Sequence, residues 1–107
     1  MFSDLRIVDL STVLAGPSVG TFFAELGAQV IKIEHPENRD VTRSWKLPEE
    51  DSKSEISAYF SSVNYKKEYL KLNLKIEDDR NKFLELVQSA DVLLSNFKKG
   101  DEAKFNI

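Results

Sequence analysis

Residues 5–36, LRIVDLSTVLAGPSVGTFFAELGAQVIKIEHP, run in the order strand, turn, helix, strand, and a unit of that kind has few ways to fold. Leu5 to Leu10 is short, carries β-branched residues and leads into Ser11 and Thr12, as a buried strand entering a loop does. Pro17 suits the first turn of a helix, Val19, Phe22, Phe23 and Leu26 recur at helical spacing, and Gly27 stands where a left-handed C-terminal cap belongs. Gln29 to Glu34 then reads as a second strand, which Pro36 prevents from continuing its ladder. Two strands joined through a helix lie parallel, with a right-handed crossover.

The remainder repeats the scheme less clearly. Residues 37–53 are polar, with Pro48 followed by Glu49, Glu50 and Asp51, and read as a long surface loop interrupted by Trp45. Ser54 to Ser62 has the period of a short helix through Ile56, Tyr59, Phe60 and Val63. Leu70, Leu72 and Leu74 alternate with Lys71, Asn73 and Lys75, the pattern of a strand with one wet face. Glu77, Asp78 and Asp79 suit the start of a helix whose apolar face is Phe83, Leu84, Leu86, Val87 and Ala90, and Asp91 to Phe97 closes a second β-α-β unit. The expected fold is α/β, a Rossmann-like open and mainly parallel sheet built from two β-α-β units within one domain spanning residues 1–107.

Composition narrows the function classes. The 107 residues carry no cysteine, which removes disulfides, thiolate catalysis and zinc–cysteine sites and permits a reducing compartment. A net charge of -3 gives no electrostatic reason to expect nucleic acid or an anionic membrane as a partner. The start MFSDLRIVDL lacks the basic flank and apolar stretch of a signal peptide, and no apolar run approaches the roughly 18 residues of a membrane span, so a cytoplasmic protein is expected.

Several residues invite chemical readings. A dinucleotide fingerprint needs glycines spaced so that backbone approaches a pyrophosphate, and this loop offers Gly16 followed only by Gly20 inside the helix. Glu34 mimics the ribose-binding acid of such a domain, but without the glycines NAD is disfavoured. His35 is the only histidine; it is either a plain strand-end residue or a stacking or hydrogen-bonding group at the carboxyl edge of the sheet, where open α/β sheets bind ligands. Lys66, Lys67, Lys71, Lys75, Lys98, Lys99 and Lys104 cluster near expected strand ends; they read as solvated surface charge, with phosphate contact as the alternative. Trp45, Tyr59 and Phe60 read as core or loop anchors rather than a cofactor box.

Taken together with that first segment, DVTRSW, YFSSVNYKKEYLKLNL and ADVLLSNFKKG resemble, in this order, the N-terminal portion of the family III coenzyme A transferases, a family that includes formyl-CoA transferase and α-methylacyl-CoA racemase. The resemblance implies that the Ala-Gly-Pro turn lies near the thiol arm and adenine of CoA. It implies CoA contacts at Leu14 and Ala15, where some members have glutamine in place of Leu14, and at His35, where some have arginine. It extends them to Leu72, Asn73, Leu74 and Lys75, with Asn73 replacing a usual aspartate, and to Asn96, Phe97 and Lys98, with Lys99 replacing a usual proline. Lys104 matches a basic residue that meets a CoA phosphate.

By the same resemblance CoA or an acyl-CoA thioester is substrate, and no permanently bound cofactor or metal is implied. The aspartate that forms a mixed anhydride in the transferases, and the His and Asp of the racemase branch, lie downstream of this chain, so no catalytic residue is assigned and the chain corresponds to an N-terminal fragment. Family subunits interlock, which implies a homodimer or association with the rest of the enzyme. The leading expectation is the N-terminal part of an acyl-CoA:carboxylic acid CoA-transferase, or of an acyl-CoA racemase, contributing to the CoA site. The alternative is a stand-alone, non-catalytic nucleotide- or CoA-binding or dimerising module.

Overall fold

The structure, a computed structural model, describes residues 1–105 and 107. Strands β1 (Arg6–Asp9), β2 (Gln29–Glu34), β3 (Glu68–Lys71) and β4 (Val92–Leu94) form one open sheet in the order β3-β2-β1-β4, with every neighbouring pair parallel. Helices α1 (Ala15–Glu25), α2 (Ala58–Asn64) and α3 (Glu77–Gln88) occupy the connections, with a 3₁₀ turn at Val41–Ser44, and α4 (Asp101–Phe105) follows β4. The first unit, β1-α1-β2, joins neighbouring strands as expected. The second joins the two edges of the sheet, so the connection through α3 passes across both central strands. Among the described residues, no helix is long and apolar enough to cross a membrane.

Side-chain alternation divides the sheet into two unlike faces. Val8, Leu10, Ile31 and Ile33 point to one face and pack with Leu72, Leu74 and Phe83 of α3, supported by Leu86, Val87, Phe97 and Phe105. Ile7 and Val30 point to the other, against Ala24 and Ala28, with Phe2, Leu5 and Phe23 around them. Further along the strands that second face changes character: Asp9, Lys32 and Glu34 follow in the same alternation and are buried.

Helix α1 keeps the expected period but packs a different stripe. The residues it buries are Pro17, Gly20, Thr21 and Ala24, whereas Val19 is 44% and Phe22 57% exposed. Small side chains win because the helix lies unusually close to the strand end beneath it. A Cβ on Gly16 would stand 2.2 Å from the Cβ of Ser11, and one on Gly20 would stand 3.1 Å from both a carboxylate oxygen of Asp9 and Cε of Lys67. These two glycines therefore admit a neighbouring side chain rather than a phosphate. Gly27 has φ +102 and ends the helix as its position suggests.

Elsewhere the boundaries move. β3 ends at Lys71, all four of its residues are exposed, and Leu72 and Leu74 are buried beyond it rather than within it. α2 starts at Ala58, after Ser57, whose hydroxyl accepts a hydrogen bond from the backbone of Phe60 at 2.9 Å and so caps the helix; Ile56 is left exposed outside it. In the polar loop, Asp40 caps the 3₁₀ turn by accepting from the Thr42 N–H at 3.1 Å, and Asp40, Thr42 and Arg43 are buried. Gly16→Ala should lower stability by about 3 kcal/mol or more and Gly20→Ala by about 1–2 kcal/mol, because the second methyl meets the end of a side chain and the first meets its root. Chemical denaturation of the two variants checks the order.

Candidate functional site at the carboxyl edge of the sheet

The carboxyl ends of β1 and β2 carry a buried charge network that closes on itself. Lys67, 6% exposed, donates from Nζ to Asp9 Oδ2 at 2.8 Å, to the Pro17 carbonyl at 2.9 Å and to Asn64 Oδ1 at 2.7 Å, which uses all three of its hydrogens. The other oxygen of Asp9 accepts from the Ser11 N–H at 2.8 Å and from the Ser11 hydroxyl. Lys32, fully buried, pairs with Asp40 at 3.0 Å and donates to the Ser11 carbonyl at 2.8 Å. Glu34 accepts from Arg43 at 2.7 and 3.0 Å, from Arg39 at 3.1 Å through two nitrogens, and from the Asp40 N–H at 2.9 Å. The Arg43 guanidinium also lies 3.8 Å from the centre of the Phe60 ring. Among the described residues, no buried side-chain nitrogen or oxygen lacks a partner.

Each charge depends on its neighbour. Burial alone would raise the Glu34 pKa, but the hydrogen bonds from Arg43 and Arg39 outweigh it and hold the carboxyl at about 2, against an ordinary 4.5. Asp40 is likewise held low: burial opposes its charge, and Lys32 more than compensates. Lys67 moves down, because desolvation exceeds the opposing pull of Asp9. A carboxylate whose pKa is depressed by folding stabilises the native state fully above its unfolded pKa and loses that contribution as pH falls towards the folded one. Glu34 should therefore contribute about 3 kcal/mol at neutral pH, lost between about pH 4.5 and 2, and Asp40 works in the same direction. Urea denaturation across that range checks this. Lys67→Met should cost about 3–5 kcal/mol by stranding the Asp9 carboxylate, and Asp9→Asn in addition should recover much of the loss.

Beside this network, on the α3 face, a cleft of about 310 Å³ opens at the carboxyl ends of the strands. Its walls include His35, Leu72, Asn73, Leu74, Lys75 and Phe97, with Leu10, Ile33 and Phe105 forming much of the apolar floor. This is the location at which open parallel sheets take ligands. The Nδ1 atom of His35 accepts from the Glu37 and Asn38 N–H groups at 3.0 Å each, so hydrogen bonding to a ligand falls to Nε2. The Asn73 side chain accepts from the Lys75 N–H at 3.0 Å, holding the turn that presents the Lys75 ammonium.

The remaining residues singled out in the sequence do not line the cleft. Leu14 and Ala15 sit exposed at the start of α1. Lys98 lies just before α4, its N–H donating to Asp101 at 3.2 Å, and Lys104 on α4 is largely exposed and 3.4 Å from Asp101. Asn96 reaches back to the backbone of Thr12: its Nδ2 donates to the Thr12 carbonyl at 2.7 Å, and its Oδ1 accepts from the Thr12 N–H at 3.1 Å. Lys67 leaves the group of surface lysines altogether. The charged network is what sequence reading missed. Its signal was present in IVDL and VIKIE, where charges alternate with branched apolar residues in strands that a parallel sheet buries on both faces.

The CoA-transferase family III model matches residues 2–107, and the chain belongs to that family. It is 47% identical over 107 residues to the acetyl-CoA:oxalate CoA-transferase of Acetobacter aceti, covering 98% of this chain and 26% of that protein. It is 41% identical over 103 residues to the succinyl-CoA:mesaconate CoA-transferase of Haloarcula marismortui, covering 96% of this chain and 26% of the relative. The crystal structure of a CAIB/BAIF family protein from Brucella suis superposes with a TM-score of 0.87 at 40% identity, over 96% of this chain and 27% of the other. The chain thus spans about a quarter of the length of the curated relatives it matches.

Proposed function

We propose that this chain supplies the amino-terminal part of the CoA site of an acyl-CoA:carboxylic acid CoA-transferase or, as the second branch of the family, an acyl-CoA racemase. The observation that supports it most directly is the cleft, which gathers His35, the Leu72–Lys75 turn and Phe97 at the carboxyl edge of a parallel sheet. In this reading the adenine end of CoA lies against the apolar floor, His35 Nε2 donates to it, and Lys75, Lys98 and Lys104 attract its phosphates as point charges. Leu14 and Ala15 meet the thiol arm. The chain's share is binding and orientation; the nucleophilic carboxylate of a transferase would come from sequence beyond it. The exposed Val19 and Phe22 on α1 support a second copy or further chain packed there, and the cysteine-free sequence is compatible with a cytoplasmic setting.

Calorimetric titration of CoA into the protein, with NAD as control, tests the reading. Saturable binding of CoA and none of NAD is the expected result. Lys75→Ala should weaken CoA about threefold to fivefold at low salt, and the difference should shrink as salt rises, because an exposed ammonium acts through a screened field. Equal binding of NAD, or a Lys75 effect indifferent to salt, would overturn it.

A further inference from the structure

The loop between β1 and α1 is held in an uncommon shape by groups from three other parts of the chain. Val13 adopts φ 74, a left-handed conformation that a β-branched residue disfavours strongly. On either side of it the backbone is fastened residue by residue. The buried ammonium of Lys32 takes the Ser11 carbonyl at 2.8 Å, the Asn96 amide takes both the N–H and the carbonyl of Thr12, and Asp40 Oδ2 lies 3.4 Å from the Val13 N–H. Asp40 is fixed in turn by Lys32 and by Thr42. Lys32 comes from β2, Asp40 from the loop after it, and Asn96 from the segment after β4. Leu14, the next residue, begins α1 without a side-chain cap, so the direction in which Leu14 and Ala15 leave the sheet is set by this fastened loop.

We infer that Asn96 is a positioning residue for the Ser11–Leu14 loop: its amide, with the Lys32–Asp40 pair, holds Val13 in the left-handed conformation that presents Leu14 and Ala15 to the thiol arm. This rests on the CoA reading above for the identity of the ligand, while the fastening itself stands on the geometry. The Asn96 Oδ1 and one of the two Nδ2 hydrogens are engaged by Thr12, so the amide is oriented by the loop whether or not a ligand is present. Without the clamp, Val13 would relax to negative φ and swing Leu14 away. Glycine at position 13 adopts positive φ without the steric penalty, so it should make the clamp largely dispensable. A direct ligand contact by Asn96 would not be replaceable in that way.

The experiment compares the unsubstituted protein with Asn96→Ala, Val13→Gly and Val13→Gly/Asn96→Ala, reading CoA affinity by calorimetry and amide hydrogen exchange at Thr12 and Val13 without ligand. Asn96→Ala should weaken CoA about tenfold, the equivalent of about 1.4 kcal/mol of strain no longer held, and should speed exchange at Thr12. The double variant should return to within about threefold of the unsubstituted protein. Asn96→Asp, which keeps the acceptor and loses the donor, should fall between, and circular dichroism confirms that each variant is folded. A loss in Asn96→Ala that Val13→Gly does not rescue would overturn positioning in favour of direct contact, and unchanged exchange at Thr12 would overturn the clamp. If the unsubstituted protein binds no CoA while exchange at Thr12 still rises in Asn96→Ala, the CoA reading falls and the fastening of the loop stands.

Discussion

Two lysine–carboxylate pairs, Asp9 with Lys67 and Lys32 with Asp40, sit where an ordinary α/β sheet would place apolar residues, and most of the local architecture follows from keeping them satisfied. A buried ion stripped of water is tolerated only when its partner and its remaining hydrogen bonds are all in place. Lys67 needs three acceptors, so α1 must bring the Pro17 carbonyl to it and α2 must bring Asn64. That approach leaves little room for a Cβ at Gly20, and the tight turn from Ser11 leaves none at Gly16. Lys32 needs Asp40, so the polar segment after β2 folds back over the sheet instead of extending into solvent. Glu34, held by Arg39 and Arg43, anchors the same segment at a second point.

This accounts for how the sequence could be read and where it misled. The β-α-β unit was legible because strand, helix and cap each carry a local signal: β-branched runs, a helical period, a glycine at the C-terminal end. The stripe that α1 buries was not, since hydrophobicity favours Phe22 while the geometry favours Gly20 and Ala24. Burial of Lys67 was invisible for a similar reason. A lysine in a run of lysines looks solvated, and its partner Asp9 lies 58 residues away. The cleft was partly legible, through motif resemblance at His35, Leu72 to Lys75 and Phe97. The engagement of Asn96 with Thr12 depends on strand order, which no local pattern reveals.

The cleft and the charged network meet at the same strand ends, and two elements serve both. β2 gives Ile33 to the cleft, Lys32 to the network and Glu34 to both, and the loop after it gives His35 to the cleft and Asp40 to both. A ligand in the cleft thus rests on backbone whose position is fixed from behind by ion pairs. Preorganisation of this kind lowers the cost of binding, because the groups that meet the ligand are ordered before it arrives.

The placement of β4 has a kinetic side. β1 is a central strand, yet one of its two partners comes from Val92–Leu94, pairing Ile7 with Val92. During synthesis the amino-terminal strand must wait, with one row of backbone amides and carbonyls unpaired, until more than four-fifths of these 107 residues have been made. Early on, the chain can complete only the local β1-α1-β2 unit. Closure of the sheet across α3 is the long-range, slow event, and until it occurs the open side of β1 is the surface on which a nascent chain is most exposed to pairing with a neighbour.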